Sequence, residues 1–387
     1  MMLKDQSWTN YEKIRSHLIG SKLLHVDRSK YWEEESSSIE YLLDATPAII
    51  SRLRDHCHWL TGVRSYDYKS HHSHKLNTFT TKYFALRELD PNLPFYGELG
   101  VLGDYGFQIE ENMINLDTLK FFESVMALNV SGNLLRLKNM SRPIIVEIGA
   151  GWGGFLAMLK QYVPNAQMII VDLPHTLIFS ATYLPTAFPN STVGFFGSSD
   201  FSGQEDFIFM TSEQFPEWNP MRIDLAINMV SFQEMTSAQV ADYGKGLLEK
   251  NCSVLYSHNR DKSAHNKELI SVELSLSDWY YSNTVELLDV DYTILRMPQI
   301  SKNDFSDIEE LSGKMKLLGF IGKILAKLPK WIRKKVNAYI SVVFSEKVKA
   351  QLLRHQKRTE FSSISKKGYS HKFYFSDKDL EHLGSIN

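Results

Sequence analysis

The stretch from Ile144 to Asp172 limits what this chain can fold into more than any other. A short apolar run, Pro143 to Ile148, reads as a buried strand, and Gly149-Ala150-Gly151-Trp152-Gly153-Gly154 follows it directly. A helical pattern from Phe155 to Val163 comes next, then a second apolar run that ends on Asp172, 23 residues after Gly149. Glycines between a strand and a helix allow positive φ in a tight turn and let the backbone approach a ligand closely. They also leave the helix N-terminus open to the ligand's polar groups. A carboxylate at the end of the second strand can accept both ribose hydroxyls of a nucleoside. The combination points to a nucleoside-containing cofactor held at the carboxyl edge of a parallel sheet.

The surrounding pattern agrees. Asp224-Leu-Ala-Ile-Asn-Met-Val230 and Ser253-Val-Leu-Tyr-Ser-His258 read as further buried strands, and Thr284 to Met297 as a closing antiparallel pair. Short apolar runs alternating with helical stretches predict an α/β, doubly wound, mostly parallel sheet over 141–300. Residues 1–140 carry mainly helical signals: Leu42, Leu43, Ile49, Ile50 and Leu53 recur at helical spacing, and a second pattern runs from Leu116 to Leu137. Between them, Pro91 to Gly106 breaks into a loop rich in glycine and proline. This region is expected to supply substrate or oligomer contacts, a homo-oligomer being compatible with the sequence.

The glycine string also fits the dinucleotide fingerprint through Gly149, Gly151 and Gly154, a match that is weak alone. Two details favour S-adenosylmethionine over a nicotinamide or flavin dinucleotide: the acid Glu147 just before the loop, and the extra Gly153. Adenosylmethionine has no pyrophosphate, and its ammonium and sulfonium suit an acidic rim. The alternatives are a nicotinamide-dependent oxidoreductase acting on a nucleotide sugar and a non-catalytic scaffold.

With Glu147 to Gly154, Val171-Asp172-Leu173-Pro174, Asp224 to Met235 with Tyr243 shortly after, and Leu255 to Arg260, the chain resembles the bacterial sugar O-methyltransferases. The resemblance spans about 112–260, and Asn228 to Met235 is its more specific part. It implies a class I methyltransferase fold and methyl transfer to a sugar hydroxyl of a surface glycan such as O-antigen or capsule, free or lipid-linked. Glu147, Gly149, Gly151, Gly153, Asp172 and Asn228 are then the candidate cofactor residues, and Ser231, Gln233 and Tyr105 the candidate substrate contacts.

A sugar hydroxyl attacks poorly until its proton leaves, so a general base is expected. His258 and Glu234 each follow a strand at the carboxyl edge. Histidine has the better intrinsic pKa for the work. The tyrosines and phenylalanines at 66, 68, 83, 84, 105 and 107 suit sugar stacking or a core, the core being favoured. His56, His58, His71, His72 and His74 lack a Cys-x-x-Cys partner, and no metal site is expected.

The formal net charge of −2 gives no pull toward nucleic acid. Two cysteines, Cys57 and Cys252, fit a reducing compartment. The first residues lack the apolar core of a signal peptide, so a cytoplasmic location is expected. Residues 301–387 differ in character. Between Lys314 and Arg358 stand thirteen Lys or Arg and one acid, Glu346, with Leu317, Ile321, Ile324, Leu325, Leu328 and Trp331 at helical spacing. A basic amphipathic extension of this kind is expected to dock on an anionic membrane surface, with Pro329 interrupting the helix.

Overall fold

The computed structural model describes residues 2–24, 28–69, 75–263, 266–285 and 369–376. Met1–Val290 and Lys366–Asn387 belong to one compact unit. The basic stretch 314–358 and His71, His72 and His74 lie outside the described residues, as do residues 286–297 of the expected closing pair.

Ten strands occur among the described residues: β1 (Phe107–Ile109), β2 (Asn112–Ile114), β3 (Ile144–Ile148), β4 (Gln167–Asp172), β5 (Val193–Phe195), β6 (Phe207–Thr211), β7 (Leu225–Met229), β8 (Leu255–Arg260), β9 (Tyr281–Val285) and β10 (Tyr369–Phe375). β1 and β2 form a small hairpin. The other eight form one sheet in the order β5-β6-β4-β3-β7-β8-β10-β9. Pairs from β5 to β8 are parallel, and β10 runs antiparallel to both β8 and β9. This is the doubly wound, mostly parallel sheet the sequence predicts. The antiparallel partner of β9 differs from expectation. It is Tyr369–Phe375, from the end of the chain, so the region set apart as an extension contributes a strand to the sheet.

Both faces of the sheet are covered, which is why its central strands read as unbroken apolar runs rather than alternating ones; every residue of β4 and β6 is buried. On one face Val146 and Ile148 pack with Ile169, Val171, Phe215, Val240 and Leu247 into the main core. Successive residues of a strand point to opposite faces, so Glu147 points to the other. There the helix Leu116–Val130 lies against the sheet. Its N-cap is a capping box: Asn115 accepts from Thr118 N at 3.0 Å while Thr118 Oγ1 accepts from Asn115 N at 2.9 Å. The expected run to Leu137 splits at Gly132, whose φ is +76°. The helix buries Asp117, Lys120 and Glu123 along with its apolar residues. Charged side chains are almost never fully buried unless paired, which marks this face as built for something other than packing.

The strand order runs from β3 outward through β4 and β6, then returns to β7 on the other side. Open α/β sheets bind ligands outside the carboxyl ends of the strands where the order reverses, here β3 and β7.

Candidate cofactor and catalytic site

The glycine loop starts at that switch point. Gly149 N donates to Val171 O at 2.8 Å, and the helix Gly154–Tyr162 begins after Gly153. Gly149 has φ +72°, and a Cβ there would lie 2.0 Å from Ser231 Oγ, so a glycine is required for the turn after β7 to close on the loop. Gly151 differs. Its φ is +58°, and a Cβ there would meet nothing within 4 Å. The backbone is bare at Gly151 without a protein neighbour to demand it, as a cradle for a ligand would be.

Behind the loop sit two acids. Asp172 accepts from Gly151 N and Leu173 N, both at 2.7 Å. Burial pushes its pKa up to about 7, against the two backbone bonds that pull it down. Glu147 is 1% exposed and its Oε2 has no hydrogen bond. Burial, and then the neighbouring Asp172, hold its pKa well above the usual carboxylate range. An acid with a raised folded pKa stabilises the fold while protonated. Its contribution is complete below about pH 4 and is lost as the pH rises through about 7. The cofactor-free protein is therefore expected to lose stability between about pH 4 and about pH 7. For Asp172 alone the loss is at most about 4 kcal/mol. Asp172→Asn should flatten that slope in denaturant melts; an equal slope in both proteins would exclude Asp172 as its source.

Asn228 is the last but one residue of β7, and Ser231 belongs to the turn after it. Asn228 is fully buried: its Nδ2 donates to Ile148 O at 2.8 Å, and its Oδ1 accepts from Phe232 N and from Asn259 Nδ2, both at 2.8 Å. It ties this turn to the end of β3, and bears on a cofactor by shaping the loop. Val230, between them, has φ +63°, a conformation costly for a β-branched residue. It is held there in part by Val230 N donating to His258 O at 2.9 Å. Gln233 is buried with Oε1 accepting from Arg260 N at 3.0 Å, further along the same edge. Glu234 closes the short 3-10 turn Phe232–Glu234, half-buried, and its carbonyl accepts from Ser29 Oγ at 2.7 Å.

His258 occupies the other face of the sheet, opposite the helix Leu116–Val130. It is 1% exposed, its Nδ1 lies 3.2 Å from Ser124 Oγ, and its ring stacks on His371 of β10 with centroids 4.2 Å apart. Burial drives its pKa well below the usual imidazole value, and His371, Lys120 and Lys82 push the same way. His371 is itself held between Tyr256 Oη at 2.7 Å from Nδ1 and Glu123 Oε1 at 3.1 Å from Nε2. Lys82 Nζ donates to Glu123 Oε2 at 2.9 Å. Lys82, Lys120, Glu123 and His371 were not legible as site residues. The spacing of Asp117, Lys120 and Ser124 along one helix face could have pointed to Lys120 and Glu123, but nothing local marks Lys82 or His371.

Tyr105 stands in a separate cluster. Its hydroxyl donates to Val63 O at 2.8 Å, and it packs with Tyr68, which also touches Phe79 and Phe107. Tyr83, Tyr105 and Phe107 are buried as favoured from the sequence and Tyr68 is half-buried, whereas Tyr66 and Phe84 are exposed. Among the described residues no group of three or more His, Cys, Asp or Glu could hold a metal ion. A surface groove of about 690 Å³ lined by Asn10, Lys13, His17, Pro185 and Phe195, among others, includes no residue of the glycine loop.

No family model and no curated protein matches this chain. Solved structures do match. One is precorrin-6y C5,15-methyltransferase of Geobacter metallireducens, at 13% identity and a TM-score of 0.28, covering 41% of this chain and 74% of that one. Another is phosphoethanolamine N-methyltransferase 2 of Haemonchus contortus, solved with phosphomonomethylethanolamine and S-adenosylhomocysteine. It is 12% identical, with a TM-score of 0.27, covering 65% of this chain and 52% of that one. A Pyrococcus horikoshii protein matches at 13% identity and a TM-score of 0.31, covering 51% of this chain and 93% of its own length.

Proposed function

We propose that this chain is an S-adenosylmethionine-dependent methyltransferase whose acceptor is a sugar hydroxyl. The observation that carries the cofactor assignment is Gly151, bare and facing open space, beside the buried acids Glu147 and Asp172. A dinucleotide would bring a pyrophosphate to two carboxyl groups and a buried acceptor with no donor. A cofactor with an ammonium and a sulfonium relieves the same arrangement, so the oxidoreductase alternative is not favoured. The sugar acceptor rests on the sequence resemblance centred on Asn228 to Met235.

When bound, the cofactor supplies an electrophilic methyl group. The chain's own residues would align the acceptor oxygen with it and take the proton that oxygen loses. His258, neutral at pH 7 because burial disfavours its charged form, can accept that proton. Thermal melting tests the cofactor choice, since a ligand that binds only the folded state raises stability by about 2.7 kcal/mol at 100 times its Kd. Adenosylmethionine is expected to raise the melting temperature and NAD to leave it unchanged. The opposite result would restore the oxidoreductase.

A further inference from the structure

The wall between the N-terminal helices and the glycine loop carries groups that the chemistry above does not use. Arg54 is fully buried. Its Nε and Nη2 donate to Glu98 Oε2 and Oε1 at 3.0 and 2.5 Å, and Asp117 Oδ2 lies 3.8 Å from Nη2. Glu98 comes from the glycine-rich stretch before β1. The guanidinium carbon of Arg54 sits 3.7 Å over the ring of Trp152. Trp152 is the residue between Gly151 and Gly153, and it is 3% exposed. Two donors in this stack, Arg54 Nη1 and Trp152 Nε1, are buried and have no oxygen or nitrogen partner, although the guanidinium also bears on the buried Cys57 thiol and pulls its pKa down against burial.

A buried donor without a partner costs about 1–3 kcal/mol, and more if charged. Two such donors stacked together beside Gly151 are accounted for at once if one small anion bonds both in the working state. We propose that Arg54 and Trp152 hold the carboxylate of the cofactor's methionine moiety. This assignment rests on the adenosylmethionine reading of the glycine loop. The planar guanidinium, already fixed by its fork to Glu98, presents Nη1 without further loss of side-chain freedom. The same wall offers what the ammonium of an amino acid needs. Asp117 Oδ1 and Oδ2 and Glu147 Oε2 are buried acceptors with no hydrogen bond, although Lys120 Nζ lies 3.1 Å from Asp117 Oδ1 as an ion pair. An acidic group on the acceptor is the competing source of the anion.

Calorimetric titration of the full chain separates the two sources. The ligands are adenosylmethionine and decarboxylated adenosylmethionine, which lacks only that carboxylate. The wild type is expected to prefer the carboxylated ligand by at least about tenfold, the worth of hydrogen bonds to a charged group. Trp152→Phe keeps a ring under Arg54 and removes the indole N–H, and should cut the preference by roughly three- to tenfold. Arg54→Lys, which keeps the charge beside Glu98 but loses the fork, should cut it by tenfold or more. The readout is a ratio, so loosened packing that weakens both ligands alike cancels; if Arg54→Lys does not fold, Trp152→Phe decides. An unchanged preference overturns the assignment and gives the anion to the acceptor, while leaving the cofactor reading intact. A wild type that binds neither ligand overturns that reading, and this assignment with it.

Discussion

Replacing His258 by alanine is expected to slow methyl transfer by roughly 10²–10⁴, the usual scale for general-base catalysis, and to change cofactor affinity by less than about twofold. His258 sits on β8 level with Met229, the last residue of β7, and therefore near the carboxyl edge. Its surroundings suppress charge: burial first, then His371, Lys120 and Lys82. A base held neutral in this way stays uncharged through the ordinary imidazole range, so the rate should stay flat there and fall only at more acidic pH. Glu234→Gln should cost less, because Glu234 belongs to the half-buried turn after β7. If Glu234 is the base, the order of severity reverses. Both sites are tested by turnover on the acceptor. Near-normal rates in both alanine variants would show that neither residue takes the proton and that alignment alone drives the reaction.

Gly151→Val is expected to abolish cofactor binding while the protein still folds. The two halves of that expectation have different causes. Folding survives because a Cβ at 151 would have no protein atom beyond its chain neighbours within 4 Å. The strain of a non-glycine residue at φ +58° costs only on the order of 1–3 kcal/mol. Binding fails because the valine would fill the space the ligand needs. Gly149→Val is the contrast: at that position Ser231 already occupies the space, so the fold itself should suffer. Calorimetry giving Gly151→Val the affinity of the wild type would remove Gly151 from the cofactor site. A Gly151→Val protein that melts cooperatively a few degrees below the cofactor-free wild type, with no shift on adding adenosylmethionine, is the expected result.

The local chain was informative wherever a short stretch settles its own structure. The parallel core strands β3, β4, β7 and β8 announce themselves as apolar runs because both their faces are covered, and the glycine loop because only glycine tolerates its backbone. Glu147, Gly149, Gly151, Gly153 and Asp172 could be picked out for the same reason: each stands at a strand end or turn whose requirements are local. Asn228, Ser231 and Gln233 were found on the right edge, but their roles depend on what lies across from them. Asn228 spends its side chain on Ile148, Phe232 and Asn259.

What the tertiary structure alone decided is which charged side chains are buried together. Arg54, Glu98, Asp117 and Trp152 meet across separations of tens of residues, and His258 meets His371 across more than a hundred. No periodicity records such pairings, because a buried charge looks like a surface charge until its partner is in place. β10 shows the same effect in the backbone. Seven residues near the end of the chain become a strand between β8 and the edge strand β9, a pairing their own sequence does not record. The sequence therefore determined where the glycine loop and its two acids stand. Folding decided which distant side chains meet beside them, since desolvating those charges is tolerable only where opposite charges and hydrogen-bond partners converge.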